Sequence, residues 1–180
     1  MTLFSFLFTG CRSIEHASFI DAVGIEACLR NNTWIIPTFM IGEYYDEQGS
    51  KTGAQSRMIE LQNLTRLRYR TAIQQAVAAG VRVALGSDYV GWEPSITARE
   101  FKYLHELGGM TAMGAIQAGT SSAADLLQRP DLGRVTVGSI ADLVVVRGNP
   151  LKDLSLLETG LCFVMKGGKI VRNDGAKINT

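Results

Sequence analysis

The chain has 180 residues, 46% of them apolar and 19% charged, a balance that supports a buried core and excludes a disordered tract. Its net charge of +1 gives neither a basic field for nucleic acid nor an acidic tail. Three widely spaced cysteines, Cys11, Cys28 and Cys162, form no CxxC pair, which favours a reducing, cytoplasmic setting over a disulfide framework, and no apolar run reaches the roughly 18 residues of a membrane span.

The opening "MTLFSFLFTGC" is apolar at residues 3–9 and reads as a strand or a ragged start; it is short for a signal peptide and has no Lys or Arg before the run. "CRSIEHA" follows as a short strand. "SFIDAVGIEACLRNN" predicts a helix with Ile20, Val23, Ala27 and Leu29 at helical spacing. "TWIIPTFM" is β-branched and aromatic and predicts a strand with Pro37 near its end. "IGEYYDEQGSKTGAQS" is polar and contains glycine, so it reads as a long loop. "RMIELQNLTRLRYRTAIQQAVAAG" predicts a long amphipathic helix closed by Gly80. "VRVALGSD" predicts a buried strand, "YVGWEPSITAREFKYLHELG" a loop and a helix, and "MTAMGAIQAGTSSAADLLQ" one or two more helices. Strand and helix alternate three times, the pattern of parallel βα units. After about residue 130 the texture changes to short strands between glycine-rich turns, with Lys166-Gly167-Gly168-Lys169 as a hairpin turn.

Two residues stand where βα folds collect function, at the C-terminal ends of predicted parallel strands. His16 ends the first, on the face that alternation shares with Ile14. A neutral imidazole there can ligate a metal; read alone, it also fits a packed or surface residue. Asp88 ends "VRVALGSD", where Gly86 and Ser87 remove bulk beside the approach of a ligand. A carboxylate there calls for a cation or strong donors, and capping the following turn is the alternative. His105 lies inside a helical pattern as an exposed or partly packed residue. Glu43 and Tyr44 in the polar loop, and Tyr89, Trp92 and Glu93 after Asp88, could line the same mouth. Thr120 suits a helix cap.

Taken in order, these pieces resemble the amidohydrolase superfamily, in its imidazolonepropionase-like and Xaa-Pro dipeptidase-like branch. "GCRSIEHASFID" is similar to that branch's sixth barrel strand, whose histidine binds metal. "WIIPTF" is similar to the seventh. "VALGSD" is similar to the eighth, whose aspartate binds metal and transfers the proton. "GGMTAMGAIQAGTSSAADLLQRPDLGRVTVGSIADLVVVRGNPLKDL" is close throughout to the family's C-terminal signature. The His-x-His strand, carboxylated lysine and further histidine of family members have no counterpart here. The resemblance therefore implies the C-terminal portion of a longer enzyme.

The resulting expectation is an α/β fold. About the last three βα units of a (βα)8 TIM-type barrel span residues 1–130, and a small β element follows at 131–180. By resemblance, Asp88 is catalytic, His16 and Asp88 hold a divalent metal, zinc foremost with manganese or cobalt as alternatives, and Glu43, Tyr44, Tyr89 and Trp92 contact substrate. The reaction implied is hydrolysis of a carbon–nitrogen bond in a small amide or dipeptide by metal-activated water. The alternative is a non-catalytic remnant or interaction module of the same fold. No nucleic acid or membrane partner is expected, and open strand edges favour self-association.

Overall fold

The computed structural model describes residues 10–49, 56–89, 91 and 93–175, with side chains except at 45, 46, 48, 49 and 56–64. Two short strands, β1 (Ser13–Glu15) and β2 (Trp34–Ile36), pair in parallel, with Ile14 opposite Ile35. A third segment joins them through the single parallel bridge Ile35–Val83. The expected strand over "VRVALGSD" is thus reduced to one bridge. Its backbone leaves the sheet at once, since Ala84 N–H still donates to Ile35 O but Leu85 N–H turns to Ala118 O. Both faces of the sheet are covered: Ile14, Trp34, Ile35 and Val83 are all buried, as parallel strands require.

The helices between the strands start and stop for local reasons. In α1 (Ala22–Asn31), the Asp21 carboxylate accepts the Gly24 N–H at 2.9 Å. Its C-terminus closes with Asn32 at φ 54° and the Thr33 N–H bonded to Cys28 O, a Schellman closure. The buried face carries Gly24, Ile25, Ala27 and Cys28, while Val23 and Leu29 face solvent. Of the four apolar residues read at helical spacing, Ile20 and Ala27 are buried and Val23 and Leu29 are not, because small residues pack inward here: a Cβ on Gly24 would meet Ile20 Cγ1 at 3.0 Å.

The predicted long loop after "IPTF" is in part a helix, α2 (Met40–Gly49). Its polar sequence carries no local helix signal. Its first amides are instead capped by Glu100, sixty residues downstream, with Oε1 accepting Phe39 N–H at 2.8 Å and Oε2 accepting Met40 N–H at 2.7 Å. The long helix α3 (Ser56–Ala78) ends at Gly80, φ 88°, with Val81 N–H on Ala76 O, as the glycine predicted. A 3₁₀ turn (Pro94–Ala98) leads into α4 (Arg99–Glu106), followed by α5 (Ala112–Ala118) and α6 (Ser121–Leu126). Thr120 precedes α6 but its side chain makes no cap; the hydroxyl donates to Ile116 O.

The tail forms a three-stranded antiparallel sheet, β3 (Leu143–Val146), β4 (Leu161–Lys166) and β5 (Lys169–Asn173), in the order β3-β4-β5. The β4–β5 hairpin turns on Gly167 and Gly168, φ 55° and 77°, the pair of positive angles that suits the strands' twist. A short helix that the pattern did not predict, α7 (Leu156–Thr159), lies between β3 and β4. Beside it, Leu154 is buried in the main core and Glu158 pairs with Arg99 at 3.0 Å, so this segment is tied to α4.

Candidate functional site

His16 directly follows β1, while Asp88, expected at a strand end, comes five residues after the single bridge at Val83; the structure nevertheless brings the two together. Nε2 of His16 lies 4.0 Å from Oδ2 of Asp88, with side chains 48% and 47% exposed. His16 is not the last residue of its strand, as alternation supposed. The ladder ends with its N–H on Ile36 O, and the chain then turns so tightly that Ala17 N–H reaches Glu15 O at 2.7 Å. That turn is centred on His16 at φ 63°, the rare and strained form of a three-residue turn.

Left-handed backbone marks both residues. Among the described residues, five besides glycine have positive φ: His16, Ala17, Asn32, Asp88 and Gln128. Asn32 and Gln128 close helices, since Arg129 N–H bonds Ala124 O behind Gln128 just as Thr33 does behind Asn32. His16, Ala17 and Asp88 (φ 48°) close none. The bulk missing at Gly86 does not clear room for a ligand: a Cβ there would lie 2.6 Å from Cγ2 of Ile36, so the glycine lets β2 pack against this segment.

Bonds of about 2 Å each put two ligands of one ion about 3.3 Å apart at a tetrahedral angle and at most about 4 Å apart. The 4.0 Å separation is at the wide end of that range. Imidazole nitrogen and carboxylate oxygen are suitable donors, so the pair fits two positions of such a site. Among the described residues no group of three His, Cys, Asp or Glu is assembled.

Beside His16 lies a cavity of about 220 Å³, lined in part by Phe19, Phe39, Glu43, Arg66, Tyr69 and Arg70; Asp88 is not in its wall. Glu43, predicted on a loop, sits on α2 with its carboxylate held by Arg66 and Arg70 of α3. Tyr69 packs tilted against Phe39 with ring centres 5.1 Å apart, and its hydroxyl accepts the Thr38 N–H; burial raises its pKa. Behind Phe39, Glu100 is fully buried, and burial pushes its carboxyl up to about 8 against two amide donors that favour the charged form.

Of the other predicted residues, Tyr44 lies on α2 and Tyr89 is half-exposed next to Asp88; neither lines the cavity. Trp92 lies outside the described residues. His105 is exposed on α4, its Nδ1 2.6 Å from Met110 O. Sequence reasoning missed Arg66, Tyr69, Arg70 and Glu100. The i, i+4 spacing of Arg66 and Arg70 was a usable sign that they share a helix face. Glu100 gave none, since an acid in a first helical turn ordinarily faces water.

The sequence model of the amidohydrolase family matches residues 6–171. The chain belongs to the amidohydrolase family. Ochratoxinase of Aspergillus niger is 31% identical over 170 residues, which cover 92% of this chain and 35% of the relative, so the chain spans about a third of that protein's length. Among solved structures, an Xaa-Pro dipeptidase with methionine bound in its active site superposes with a TM-score of 0.82 at 31% identity, covering 93% of this chain and 41% of that one. The A. niger ochratoxinase crystal structure gives 0.82 at 29% identity, covering 97% and 40%. These relatives are hydrolases, and the α/β fold of this chain corresponds to part of theirs. No described helix is long and apolar enough to cross a membrane.

Proposed function

We propose that the chain is part of a metal-assisted hydrolase of carbon–nitrogen bonds, with His16 and Asp88 as two ligands of its divalent ion. In this reading residues 1–130 are the last three βα units of a barrel and residues 131–180 its accompanying β element. The observation that carries the reading is the left-handed backbone at both His16 and Asp88. Strain of this kind persists where the surrounding structure holds a functional group in position, and neither residue closes a helix.

Zinc suits nitrogen and carboxylate donors best, with manganese and cobalt next. Such an ion, when bound, polarises a carbonyl and lowers the pKa of a water molecule. His16 contributes Nε2 as a ligand. Asp88 takes the proton of the attacking water at a carboxylate oxygen and returns it to the leaving nitrogen. The substrate is a small amide or a dipeptide, in line with the dipeptidase among the relatives. The setting is cytoplasmic, with no nucleic acid or membrane partner.

A catalytic zinc site takes about three protein ligands, and the two donors brought together among the described residues fall short of that number. The chain alone is therefore expected to hold metal weakly, turn over little and associate with itself. That shortage also favours the second reading, a non-catalytic interaction module of the same fold. The test is a zinc or manganese titration of the chain with the His16 imidazole followed by NMR. The expected result is a saturable shift that Asp88→Asn removes; an imidazole untouched by millimolar metal would sink the metal-site reading. Metal retained stoichiometrically after desalting, with Asp88-dependent hydrolysis of a dipeptide and cyclic-amide panel, would remove the second reading. It would also mean that Glu43, Asp46, Glu93 or a second copy of the chain completes the site.

A further inference from the structure

We propose that the chain pairs with a second copy of itself along the outer edge of β3, joining two three-stranded C-terminal sheets into one antiparallel sheet. The proposal goes beyond the hydrolase reading and does not depend on it. It gives the expected self-association a surface, a register and a two-fold axis.

The edge is defined by hydrogen-bond direction. Ala141 C=O accepts the Gly168 N–H and Arg147 N–H donates to Gly160 O, so both residues turn their backbone groups toward β4. These directions alternate along a strand. Leu143 and Val145 therefore also point to β4, in register with Met165 and Phe163. The groups of Val144 and Val146 point away from it, and β3 is an outer strand of its sheet. Neither of those two N–H groups has a partner among the described residues. A row of unpaired backbone groups is a template for another strand.

The sheet has two outer edges, and they differ. β5 carries Lys169 and Arg172, charges of the kind that blunt an edge against further pairing. β3 reads Leu-Val-Val-Val and carries none. A two-fold axis sets a strand against its own copy, so charges on β5 oppose self-pairing and nothing on β3 does. The charged groups beside β3 are engaged within the chain. Arg134 pairs with Asp125 at 2.9 Å, Asp142 accepts the Gly167 N–H at 2.6 Å, and Arg147 donates to Asp174 O at 2.8 Å. Apolar surface also continues from the strand. Val144 and Val145 are at least half exposed, on opposite faces. Val135, Val137 and Ile140 line an open hollow with Leu143, and the two valines are almost fully exposed. A neutral, valine-rich edge that runs into an apolar loop suits a partner of the same composition.

One register uses every outward group of Val144 and Val146. Each pairs with the other in the second copy, exchanging both of its N–H···O bonds. The axis then passes at Val145, whose Cβ lies about 4.5–5.5 Å from that of its copy. The contact is a short strand and a loop, below the roughly 1,200 Å² of a stable interface, so the dimer is weak.

The test is sedimentation equilibrium of the full chain in EDTA, which removes any contact through metal. The wild-type chain is expected to pass from monomer to dimer between about 5 and about 500 µM, and to grow no further. Val145→Lys and Val145→Glu each set like charges face to face and should weaken the dimer about fivefold or more. Mixed in equal amounts, the two variants set Lys against Glu and should recover it. Val171→Lys on β5 should leave the equilibrium within about twofold of wild type. A wild-type chain monomeric at about 500 µM, growth beyond a dimer, a mixture as weak as its components, or an equal loss in Val171→Lys would each overturn the proposal. If the variants at position 145 do not fold, Val144→Pro decides. It removes an outward N–H and no bond to β4, so an unweakened dimer in that variant would overturn the proposal as well. None of these measurements reads metal at His16, so this surface and the hydrolase reading can fail separately.

Discussion

The parallel strands and the C-terminal sheet are built on opposite principles. β1 and β2 have three residues each, and the third segment has a single bridge. Few hydrogen bonds hold them, and burial does the rest: Ile35 and Ile73 are fully buried in the core between the sheet and its helices. The C-terminal sheet has longer strands, an antiparallel ladder interrupted by one register shift in each pair, and a two-glycine turn. Yet all of β5 is exposed, and Val144, Val145, Ile170 and Val171 face solvent. Turn chemistry and ladder bonds fix its backbone without covering its faces. The comparison teaches that regular strand pairing and contribution to stability are separate quantities in this chain.

The largest expected effect comes from the buried side. Ile73→Ala removes a fully buried side chain of α3 and should cost about 2–5 kcal/mol in denaturant unfolding. A loss under about 1 kcal/mol would mean that this core is loosely packed and that the contrast is overstated.

Next comes Glu100→Gln. The amide can accept from only one of the Phe39 and Met40 N–H groups and turns its own NH₂ toward the other, at a cost of about 1–3 kcal/mol. The variant also alters the pH dependence. Burial raises the carboxyl from 4.5 to about 8, so the folded chain binds this proton more tightly than the unfolded chain does. The group's contribution is fully present below pH 4.5 and is lost as the pH rises to about 8. Wild-type stability should therefore decline across that window, and the decline should flatten in Glu100→Gln. Unfolding midpoints measured at several pH values check it, and an unchanged slope in the variant would break the assignment.

The smallest effect is expected in the tail. Val171 is 68% exposed on β5, and Val171→Ala should change stability by no more than about 0.5 kcal/mol. A larger loss in dilute solution would show that the face is covered, and its growth with protein concentration would identify a second copy of the chain as the cover.

The sequence was most legible where the determinants are local. The Gly167-Gly168 turn and the Gly80 helix stop each reside within a few residues of what they control. The proximity of His16 and Asp88 was legible because both were read at strand ends and because their order matched a family pattern. The left-handed backbone at both was not read from the sequence, although His and Asp are among the residue types that adopt it most readily. Elements set by distant partners were not legible. α2 looked like a loop because its cap comes from Glu100, and the third strand looked whole because nothing in "VRVALGSD" tells that Leu85 will bond to Ala118. The cavity's guanidinium wall escaped notice because Glu43 and its two arginines lie 23 and 27 residues apart.

The Glu100 cap also bears on the order in which the chain acquires its structure. An ordinary helix cap lies within a turn of the amides it serves and can form with the first turn itself. Here the first turn of α2 waits for a loop of some sixty residues to close and for α4 to dock, so its entropy cost falls due before its hydrogen bonds are made. The amides of Phe39 and Met40 thus belong to the cooperative unit of α4 rather than to their neighbours in the chain. The wall of the cavity that holds Glu43 is thus expected to form late in folding, after the carboxylate of Glu100 has arrived from beyond the third segment.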